Sequence, residues 1–506
     1  CFALAQTTPD RTPKVIRAVR AEVPPAIDGV LDDEAWTAAP VARNFHPAPN
    51  DPLLLPPWRD DSWRPPPPGD QMPIGGFIDI DTEQETVHPT EVRIVYDDSF
   101  IYVGAVMYQE RDTINATERK YDRFQLRFED YIQVNLDTFH DHKSSYVFLV
   151  SPLGVRWDAR DGVFDRNDSW DADWTVKTTI EDDRWTAEMA IPIGVMHHNR
   201  KAGETWGINF RRRVSLQNES QHWNYTPDAG VPGRAQGPKF TADFGHLENL
   251  DLSQSTIDRR PRVEQYVASG IRRRPGSDEY HSRFETGLDL EMRLNSHWVA
   301  TFAANPNFVE VAADEGDIQN RDTARFLEER RNFFKEGAEL FRTPINMYDS
   351  RNILDFDAAA KVTGTGDNWS AGTLTLHGEG ELSGENANIT VARAIFAPTH
   401  DLQLGSMLVA IDRTDGYNVV GGFDARYEIN QTNTLTSQYL YMIDEGRDDF
   451  DGPGGRDTTQ SEHGFITAFE GGDDPWFYRI DFTDISEDFE PDLSFVPRRD
   501  IVGPTV

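Results

Sequence analysis

Side-chain oxygens recur at every second residue in one short segment, a spacing typical of calcium-binding loops. They come from Asp165, Asn167, Ser169 and Asp171. Trp170 stands where such a loop needs glycine for its sharp turn. The pattern is therefore incomplete, and calcium is the one cofactor that we keep as an expectation.

The two histidines of His140-Asp141-His142 are two positions apart. On a strand, both rings therefore point to the same face and can reach one metal ion. The neighbouring sequence offers no third ligand. We predict no metal site from this motif alone.

Three tryptophans, Trp157, Trp170 and Trp174, lie close together in a stretch rich in loop residues. An indole ring can stack on the apolar face of a sugar ring, and it can equally anchor a loop or a core. Both interpretations stay open, and Trp170 and Trp174 enter the predicted sugar site.

The sequence contains no known catalytic motif. It has no Gly-x-Ser-x-Gly, His-Glu-x-x-His or Cys-x-x-Cys pattern and no phosphate-cradling loop. Because the chain holds 86 Asp and Glu residues, acidic pairs are too common to identify a glycoside hydrolase. The sequence therefore favours binding over catalysis.

The net charge is −36 over 506 residues. Such a field repels phosphates, so we expect no nucleic-acid partner.

Cys1 is the single cysteine, which excludes an internal disulfide. Ala3-Leu4-Ala5 before Gln6 is typical of the end of a signal peptide, with a lipid-anchored Cys1 as the alternative. Residues 503–506 show no closing strand, so we expect a longer protein.

The elements that would position these groups are mainly β-strands. Short alternating segments with turn signals between Thr90 and Phe210 predict an antiparallel sandwich. From Arg283 to Leu294, apolar residues alternate with charged ones. That stretch has about the length, roughly 9–11 residues, that a tilted strand needs to cross a bilayer. The alternation recurs in residues 419–429 and indicates an outer-membrane barrel.

We therefore predict an all-β chain: an N-terminal antiparallel β-sandwich followed by a partial antiparallel transmembrane-type β-barrel with a short internal helix. Residues 322–336 form this helix, and Gly337 ends it. The predicted divisions are a signal-peptide remnant and linker at 1–21, the sandwich at 22–247, a linker at 248–261, and an incomplete barrel at 262–506 with a plug-like segment at 305–341.

Two sets of ordered motifs resemble known families. The first set comprises Ile27–Trp36, Thr90–Tyr102, Ser151–Trp157, Trp185–Pro192 and Gly203–Arg211. Through it, residues 22–247 resemble the family 9 carbohydrate-binding modules. The second set comprises Asn305–Phe308, Ala313-Asp314, Glu329–Gly337 and Leu493–Arg498. Through it, the later residues resemble an outer-membrane-barrel family of unknown function that is often fused behind such a module.

The family 9 resemblance implies that two aromatic rings sandwich a terminal sugar while polar groups fix its hydroxyls. Trp223 stands at the place of the later tryptophan, and Arg127-Phe128, before Asp130, stand at the place of the earlier one. Leu149 replaces the family's arginine, so the fold carries over better than the site. The predicted carbohydrate-binding residues are Trp223, Phe128, Arg127, Asp130, Trp170 and Trp174.

The sequence thus predicts a carbohydrate-binding protein of the bacterial outer membrane, with the barrel as anchor or transporter. Its partners would be an oligo- or polysaccharide and the membrane, with the sandwich in the periplasm or at the cell surface. Two alternatives stay open. One is a secreted or surface glycoside-hydrolase-type enzyme of polysaccharide catabolism, an activity implied only by family association. The other is a surface scaffold that binds no glycan.

Overall fold

The computed structural model describes residues 13–43, 46–47, 88–121, 126, 128–162, 166–217, 219–224, 244–257, 259–273, 280–305, 329, 331–380, 386–414, 416–430, 433–445, 460–471, 478–494, 496 and 500–505. The chain divides into two compact units. The first comprises Cys1–Asp158, Asp173–Ile193 and Arg200–Ser255, and the second comprises Ala159–Ala172, Gly194–Asn199 and Thr256–Val506.

The first fifteen strands and one short helix form two sheets. Their bounds are β1 Val15–Arg17, β2 Val19–Arg20, α1 Glu34–Ala38, β3 Val41–Ala42, β4 His46–Pro47, β5 Thr90–Tyr96, β6 Phe100–Tyr108, β7 Tyr131–Asp137, β8 Ser145–Val150, β9 Arg156–Asp161, β10 Arg166–Asn167, β11 Thr175–Ile180, β12 Arg184–Pro192, β13 Ala202–Val214, β14 Glu219–His222 and β15 Gly245–Asp251.

The nine-stranded sheet has the order β1-β15-β13-β7-β8-β9-β10, with β14 attached to β13 and β4 attached to β14. The six-stranded sheet has the order β11-β12-β6-β5-β2, with β3 attached to β5. Apart from the short parallel pairs β1–β15 and β2–β5, neighbours are antiparallel. Ile132, Val134 and Leu136 alternate along β7 and are fully buried, as expected of a core-facing row. The predicted antiparallel sandwich is confirmed.

A buried arginine joins the two sheets. Arg212, on β13, donates hydrogen bonds to the carbonyl oxygens of His88, Pro89 and Tyr108 and to the side chains of Thr90 and Gln109. Burial lowers the pKa of Arg212 to about 10, so the guanidinium stays charged near neutral pH. These bonds connect β13 of one sheet with β5 and β6 of the other.

The segment from Ile27 to Trp36 is held by one carboxylate. Glu188, on β12, is fully buried and accepts hydrogen bonds from the backbone of Asp28 (2.9 Å) and Gly29 (2.8 Å) and from Trp36 Nε1 (2.7 Å). Gly29 has a φ of +95°, which only glycine adopts without strain. Trp36 is a core anchor.

The second unit contains one long antiparallel sheet of twelve strands, in which each strand pairs with its neighbours in sequence from β16 to β27. The bounds are β16 Arg262–Arg273, β17 Tyr280–Arg293, β18 Trp298–Ala304, α2 Asn332–Lys335, β19 Ile353–Gly366, β20 Trp369–Gly380, β21 Asn386–Phe396, β22 Leu402–Asp412, β23 Tyr417–Glu428, β24 Thr434–Glu445, β25 Gln460–Gly471, β26 Tyr478–Ile485 and β27 Ile501–Thr505. The predicted partial antiparallel barrel-type sheet is confirmed.

Large apolar side chains are exposed along one face of this sheet. Phe423 is 72% exposed, and the neighbouring strands add Leu404, Leu408, Tyr427, Leu435, Tyr439, Tyr441, Ile480 and Phe482. They alternate with buried residues, as in β22, where exposed Leu404 and Leu408 flank buried Met407. Among the described residues, no helix is long and apolar enough to span a membrane.

The opposite face of the twelve-stranded sheet is partly apolar, although the alternation of apolar and charged residues in β17 predicts a charged face. A cluster of buried apolar side chains there joins the sheet residues Val391, Val409 and Val420 to Phe333 and Phe341 of the segment before β19. That segment contains α2, Asn332–Lys335, and Gly337, at φ +68°, follows it. The predicted helix at 322–336 is wrong at Arg331, whose backbone is extended, because the helix begins only at Asn332. Residues 306–328, which cover much of the predicted helix and plug, lie outside the described residues. The interior face is thus charged in some strands and apolar where this segment packs.

A buried ion pair also lies on that face. Arg393 Nη2 donates to Asp424 Oδ1 at 2.9 Å, and the other guanidinium nitrogen contacts the second carboxylate oxygen. Gly405 lies between them: a Cβ there would be 2.6 Å from both terminal nitrogens of Arg393. The absence of a side chain at Gly405 creates the space for the pair.

Candidate functional site

Polar side chains form cross-strand rows on one face of the nine-stranded sheet. Arg211 pairs with Gln133 on one side and His222 on the other, and Asn209 pairs with Asn135. Directly opposed residues of antiparallel strands share a face, and residues two apart on one strand do so too. We call these five residues the polar face. It lies opposite the core face of β7.

Two amide side chains of the polar face leave hydrogen-bonding atoms unsatisfied. Gln133 and Asn135 are fully buried, and Gln133 Nε2 donates to Asn135 Oδ1 at 2.7 Å. Gln133 Oε1 and Asn135 Nδ2 have no partner among the described residues. Most buried polar groups in proteins are hydrogen-bonded, but other buried side-chain atoms of the described residues, such as Trp185 Nε1 and Trp206 Nε1, also lack a partner. The amide pair differs from these because an unsatisfied donor and an unsatisfied acceptor lie on two side chains that contact each other.

The imbalance does not depend on how the two amides are oriented. If both amides were flipped, Asn135 Nδ2 would donate to Gln133 Oε1, and one donor and one acceptor would again remain. A group that both donates and accepts satisfies the pair in either case. A hydroxyl group and a water molecule are such groups.

The other members of the polar face are fixed by their neighbours. Arg211 Nε donates to His222 Nε2 at 2.8 Å, which sets the plane of the guanidinium and requires an unprotonated Nε2. Asn209 Nδ2 donates to the carbonyl of Asn224 at 2.8 Å, and Asn209 Oδ1 accepts from the backbone of Asn224 at 3.0 Å. The face is therefore held in one arrangement before any ligand binds.

Trp223, predicted to stack on a sugar, lies directly after β14 and is 3% exposed. Its ring lies 5.5 Å from that of Phe210. A Cβ at Gly245 would be 2.6 Å from the Trp223 ring, so glycine is needed for this close approach. The packing gives Trp223 a structural role here, and its stacking role stays a prediction.

Phe128 and Asp130 differ sharply in exposure. Phe128 is 44% exposed, whereas Asp130 is fully buried. The Asp130 carboxylate accepts from Gln109 Nε2 (2.7 Å), from the backbone of Asn115 (3.1 Å), and from both the backbone and the hydroxyl of Ser215 (2.7 and 2.8 Å). These bonds engage both of its oxygens. Arg127 lies outside the described residues.

The remaining predicted residues are buried. Trp174 is 1% exposed, and its Nε1 donates to Asp158 Oδ2 at 2.7 Å; its ring meets Phe148 edge-on at 5.4 Å. Trp170 is 4% exposed. The sugar-binding role of these two rings stays a prediction.

The expected calcium loop stays untested, because Asp165 lies outside the described residues. Asn167 Oδ1 accepts from the backbone of Ser169 at 3.2 Å, and its Nδ2 donates to the carbonyl of Lys335 at 2.6 Å. Within the part of the chain that the structure describes, no three His, Cys, Asp or Glu side chains are placed to hold one metal ion.

Sequence reasoning missed the polar face because its members come from three strands far apart in the chain. Gln133 and Asn135 alternate with apolar residues along β7, which signals only that one face is polar. The pairing of β7 with β13, and of β13 with β14, places Arg211, Asn209 and His222 beside them. Which of these residues become neighbours depends on the register of the paired strands, which the sequence alone does not show.

Comparison with known proteins gave matches only among solved structures. No protein-family model and no curated protein sequence matches the chain. The chain is similar to a family 9 carbohydrate-binding module from Caldicellulosiruptor kristjanssonii in complex with cellotriose, with 16% identity, coverage of 46% of this chain and 93% of that one, and a TM-score of 0.29. The complex with glucose matches at 15% identity, 46% and 95% coverage, and a TM-score of 0.29.

A further similar structure is OccK7 (OpdD) from Pseudomonas aeruginosa. It matches at 10% identity, covers 78% of each chain, and has a TM-score of 0.23. The similar structures therefore include the carbohydrate-binding family whose motifs the first half of the sequence resembles.

Proposed function

We propose that the first unit binds a glycan on the polar face and that the second unit anchors the chain in the outer membrane, or transports through it, as a barrel-type sheet. In this proposal, Gln133, Asn135 and Arg211, which are buried, become accessible when the sugar binds and contact its hydroxyls. Phe128 is the exposed aromatic ring of the predicted set, and we assign it the stacking role.

The unsatisfied amide atoms are the main support for glycan binding. A sugar hydroxyl donates one hydrogen bond and accepts another, so a single hydroxyl can satisfy both Gln133 Oε1 and Asn135 Nδ2. Leaving a buried polar atom without a partner costs about 1–3 kcal/mol, and binding recovers that cost. Arg211, whose Nε donates to His222, lies on the same face.

The exposed apolar face of the twelve-stranded sheet supports the membrane part. Soluble proteins rarely expose apolar patches larger than a few hundred Å², whereas lipid-facing strands carry apolar side chains at every second residue. Phe423, Tyr439 and Leu404 are 72%, 51% and 44% exposed on three neighbouring strands. Contact with the hydrocarbon of a bilayer would remove the free-energy cost of exposing these apolar side chains to water.

The glycan part is tested with the double variant Gln133→Leu/Asn135→Leu. Replacing both hydrogen-bonding partners by apolar groups of similar shape is nearly neutral for folding. The variant should therefore keep the thermal midpoint of the wild type but lose at least about tenfold in affinity, because it removes two hydrogen bonds of about 1 kcal/mol each. Binding is measured on a glycan array that includes cellotriose and glucose, followed by calorimetry.

Unchanged binding in a folded double variant would contradict the proposal, because the unsatisfied pair would then hold only water. A second variant, Phe128→Ala, separates stacking from hydrogen bonding. It should weaken binding while leaving folding intact, because Phe128 is an exposed side chain. The control is Tyr121→Ala, which removes another exposed aromatic ring of the same unit.

A further inference from the structure

Three imidazole rings meet at one end of the nine-stranded sheet, beyond the polar face. His140 and His142 follow β7, and His246 lies on β15. His140 Nε2 and His246 Nδ1 are 2.9 Å apart. The ring centroid of His140 is 4.7 Å from that of His246 and 4.8 Å from that of His142. The strand pairing thus brings His246, from a distant part of the chain, to His140, which has no such third ligand close to it in the sequence.

The nitrogen–nitrogen contact constrains the protons. Two neutral imidazoles form this contact only when one nitrogen donates and the other accepts. One of the two nitrogens therefore carries a proton, and the lone pair of the other accepts it. A metal ion can replace that proton, because neutral imidazole nitrogen is a ligand for zinc, nickel and copper.

The spacing suits a shared metal ion. With metal–nitrogen bonds of about 2.0–2.1 Å, a tetrahedral ion holds two nitrogens about 3.3–3.4 Å apart, and a right-angled pair about 2.9 Å apart. The observed 2.9 Å matches the second value. It needs to widen by only about 0.4 Å to reach the first.

The surrounding charge favours a cation. Asp137 and Asp141 lie in the same turn, where Asp137 accepts hydrogen bonds from the backbone of His142 (2.8 Å) and Asp141 (3.3 Å). These bonds place two acidic residues in the turn that carries His140 and His142. A nearby cation would relieve their repulsion.

The backbone of the turn is also unusual. His140 and His142 have φ angles of +52° and +59°, a region that non-glycine residues seldom adopt. The backbone hydrogen bonds to Asp137 hold this conformation. The conformation places the two rings side by side.

We propose that His140 Nε2 and His246 Nδ1 chelate a divalent transition-metal ion of the zinc, nickel and copper class, with water completing the coordination. His142, the adjacent ring, is a third imidazole that can join after side-chain rotation. The site is separate from the sugar contacts at Gln133 and Asn135, so it does not depend on the proposed glycan function.

The test is calorimetric titration of full-length protein, without a polyhistidine tag and in detergent, with Zn²⁺ and with Ni²⁺. We expect one ion per chain in the wild type and at least a tenfold loss of affinity in His140→Gln and in His246→Gln. The control is His377→Gln, which changes an exposed histidine on β20 and should leave metal affinity unchanged. Equal binding by all four proteins would overturn the proposal.

A spectroscopic measurement on the wild type covers the case in which a variant fails to fold. With one equivalent of Cu²⁺, the electron paramagnetic resonance spectrum should show coupling to imidazole nitrogens. A spectrum with oxygen ligands only would contradict the proposal. Loss of glycan binding with intact metal binding, or the reverse, would tell the two proposals apart.

Discussion

At the scale of single residues, one buried carboxylate holds the segment with which the resemblance to the carbohydrate-binding modules begins. Glu188 accepts three hydrogen bonds from Asp28, Gly29 and Trp36. The sequence showed the motif around Trp36 but not its partner, because Glu188 lies on β12, more than 150 residues later. The long-range bond therefore explains why the segment folds onto this sheet.

Glu188→Ala should destabilise the first unit by about 2–4 kcal/mol, because it leaves three donors without their acceptor. The measurement is the thermal or urea midpoint followed by tryptophan fluorescence. Glu181→Ala is the control. Glu181 forms a half-exposed ion pair with Arg184, whose loss should change stability by less than about 1 kcal/mol. Equal effects of the two changes would contradict the assigned role.

A buried histidine of the second unit should make stability depend on pH. Burial, together with the charges of Arg160 and Arg293, lowers the pKa of His197 well below its usual value of 6.5. The unfolded chain therefore binds this proton more readily than the folded one, so stability is lost as the pH falls below 6.5.

His197→Gln should remove this part of the acid sensitivity. We expect the thermal midpoint of the wild type to fall more steeply than that of the variant between about pH 6.5 and pH 5. The two curves should run parallel above pH 7, where the histidine is neutral in both states. Parallel curves over the whole range would contradict the buried, neutral assignment.

At the scale of strands, the alternation of residue types predicts some elements much better than others. The alternating stretch from Arg283 to Leu294 corresponds to β17, and residues 419–429 correspond to β23 with Phe423 on the exposed face. In β22 both faces are apolar, because Met407 and Val409 pack on the segment around Phe333. A single strand cannot show that such a segment covers it.

Gly405 on β22 offers a matched test of the interior ion pair. Gly405→Ala places a Cβ 2.6 Å from the Arg393 guanidinium and should disrupt its pairing with Asp424. Breaking a buried ion pair costs about 3–5 kcal/mol. The control is Gly421→Ala on β23, where the nearest heavy atom is 3.6 Å away.

The readout is the temperature at which the folded band is lost in semi-native electrophoresis. Gly405→Ala should shift it strongly, and Gly421→Ala should shift it little. The opposite order would show that the space at Gly405 does not determine the pairing of Arg393 with Asp424.

At the scale of the whole molecule, the first unit contains a buried polar face, and the second has an exposed apolar face. Composition and alternation predicted the all-β class and the barrel-type sheet. They could not predict the proposed glycan contacts, because Gln133, Arg211 and His222 become neighbours only through the pairing of three strands. The sequence pointed instead to Trp170, Trp174 and Trp223, all of which are buried.

Phe423→Arg tests whether the exposed apolar face of the twelve-stranded sheet contacts water or lipid. Phe423 is 72% exposed near the middle of β23. In water, replacing an exposed phenylalanine by arginine changes stability by no more than about 0.5 kcal/mol. In a bilayer, arginine on the lipid face costs about 2–4 kcal/mol near the midplane.

We expect this larger loss in urea unfolding of protein reconstituted into vesicles. The control is Asn430→Arg in the exposed turn after β23. It loses two exposed hydrogen bonds from Asn433 and should cost no more than about 1 kcal/mol. A Phe423→Arg variant as stable as the control, recovered in the soluble fraction, would contradict the membrane proposal.

An experimental structure of the full-length protein with a bound oligosaccharide tests the central claim most directly. The account predicts a sugar hydroxyl within about 3.2 Å of both the Gln133 and the Asn135 side-chain amides, beside the Arg211 guanidinium. A sugar bound elsewhere, with the two amides satisfied by protein groups or by water alone, would contradict it.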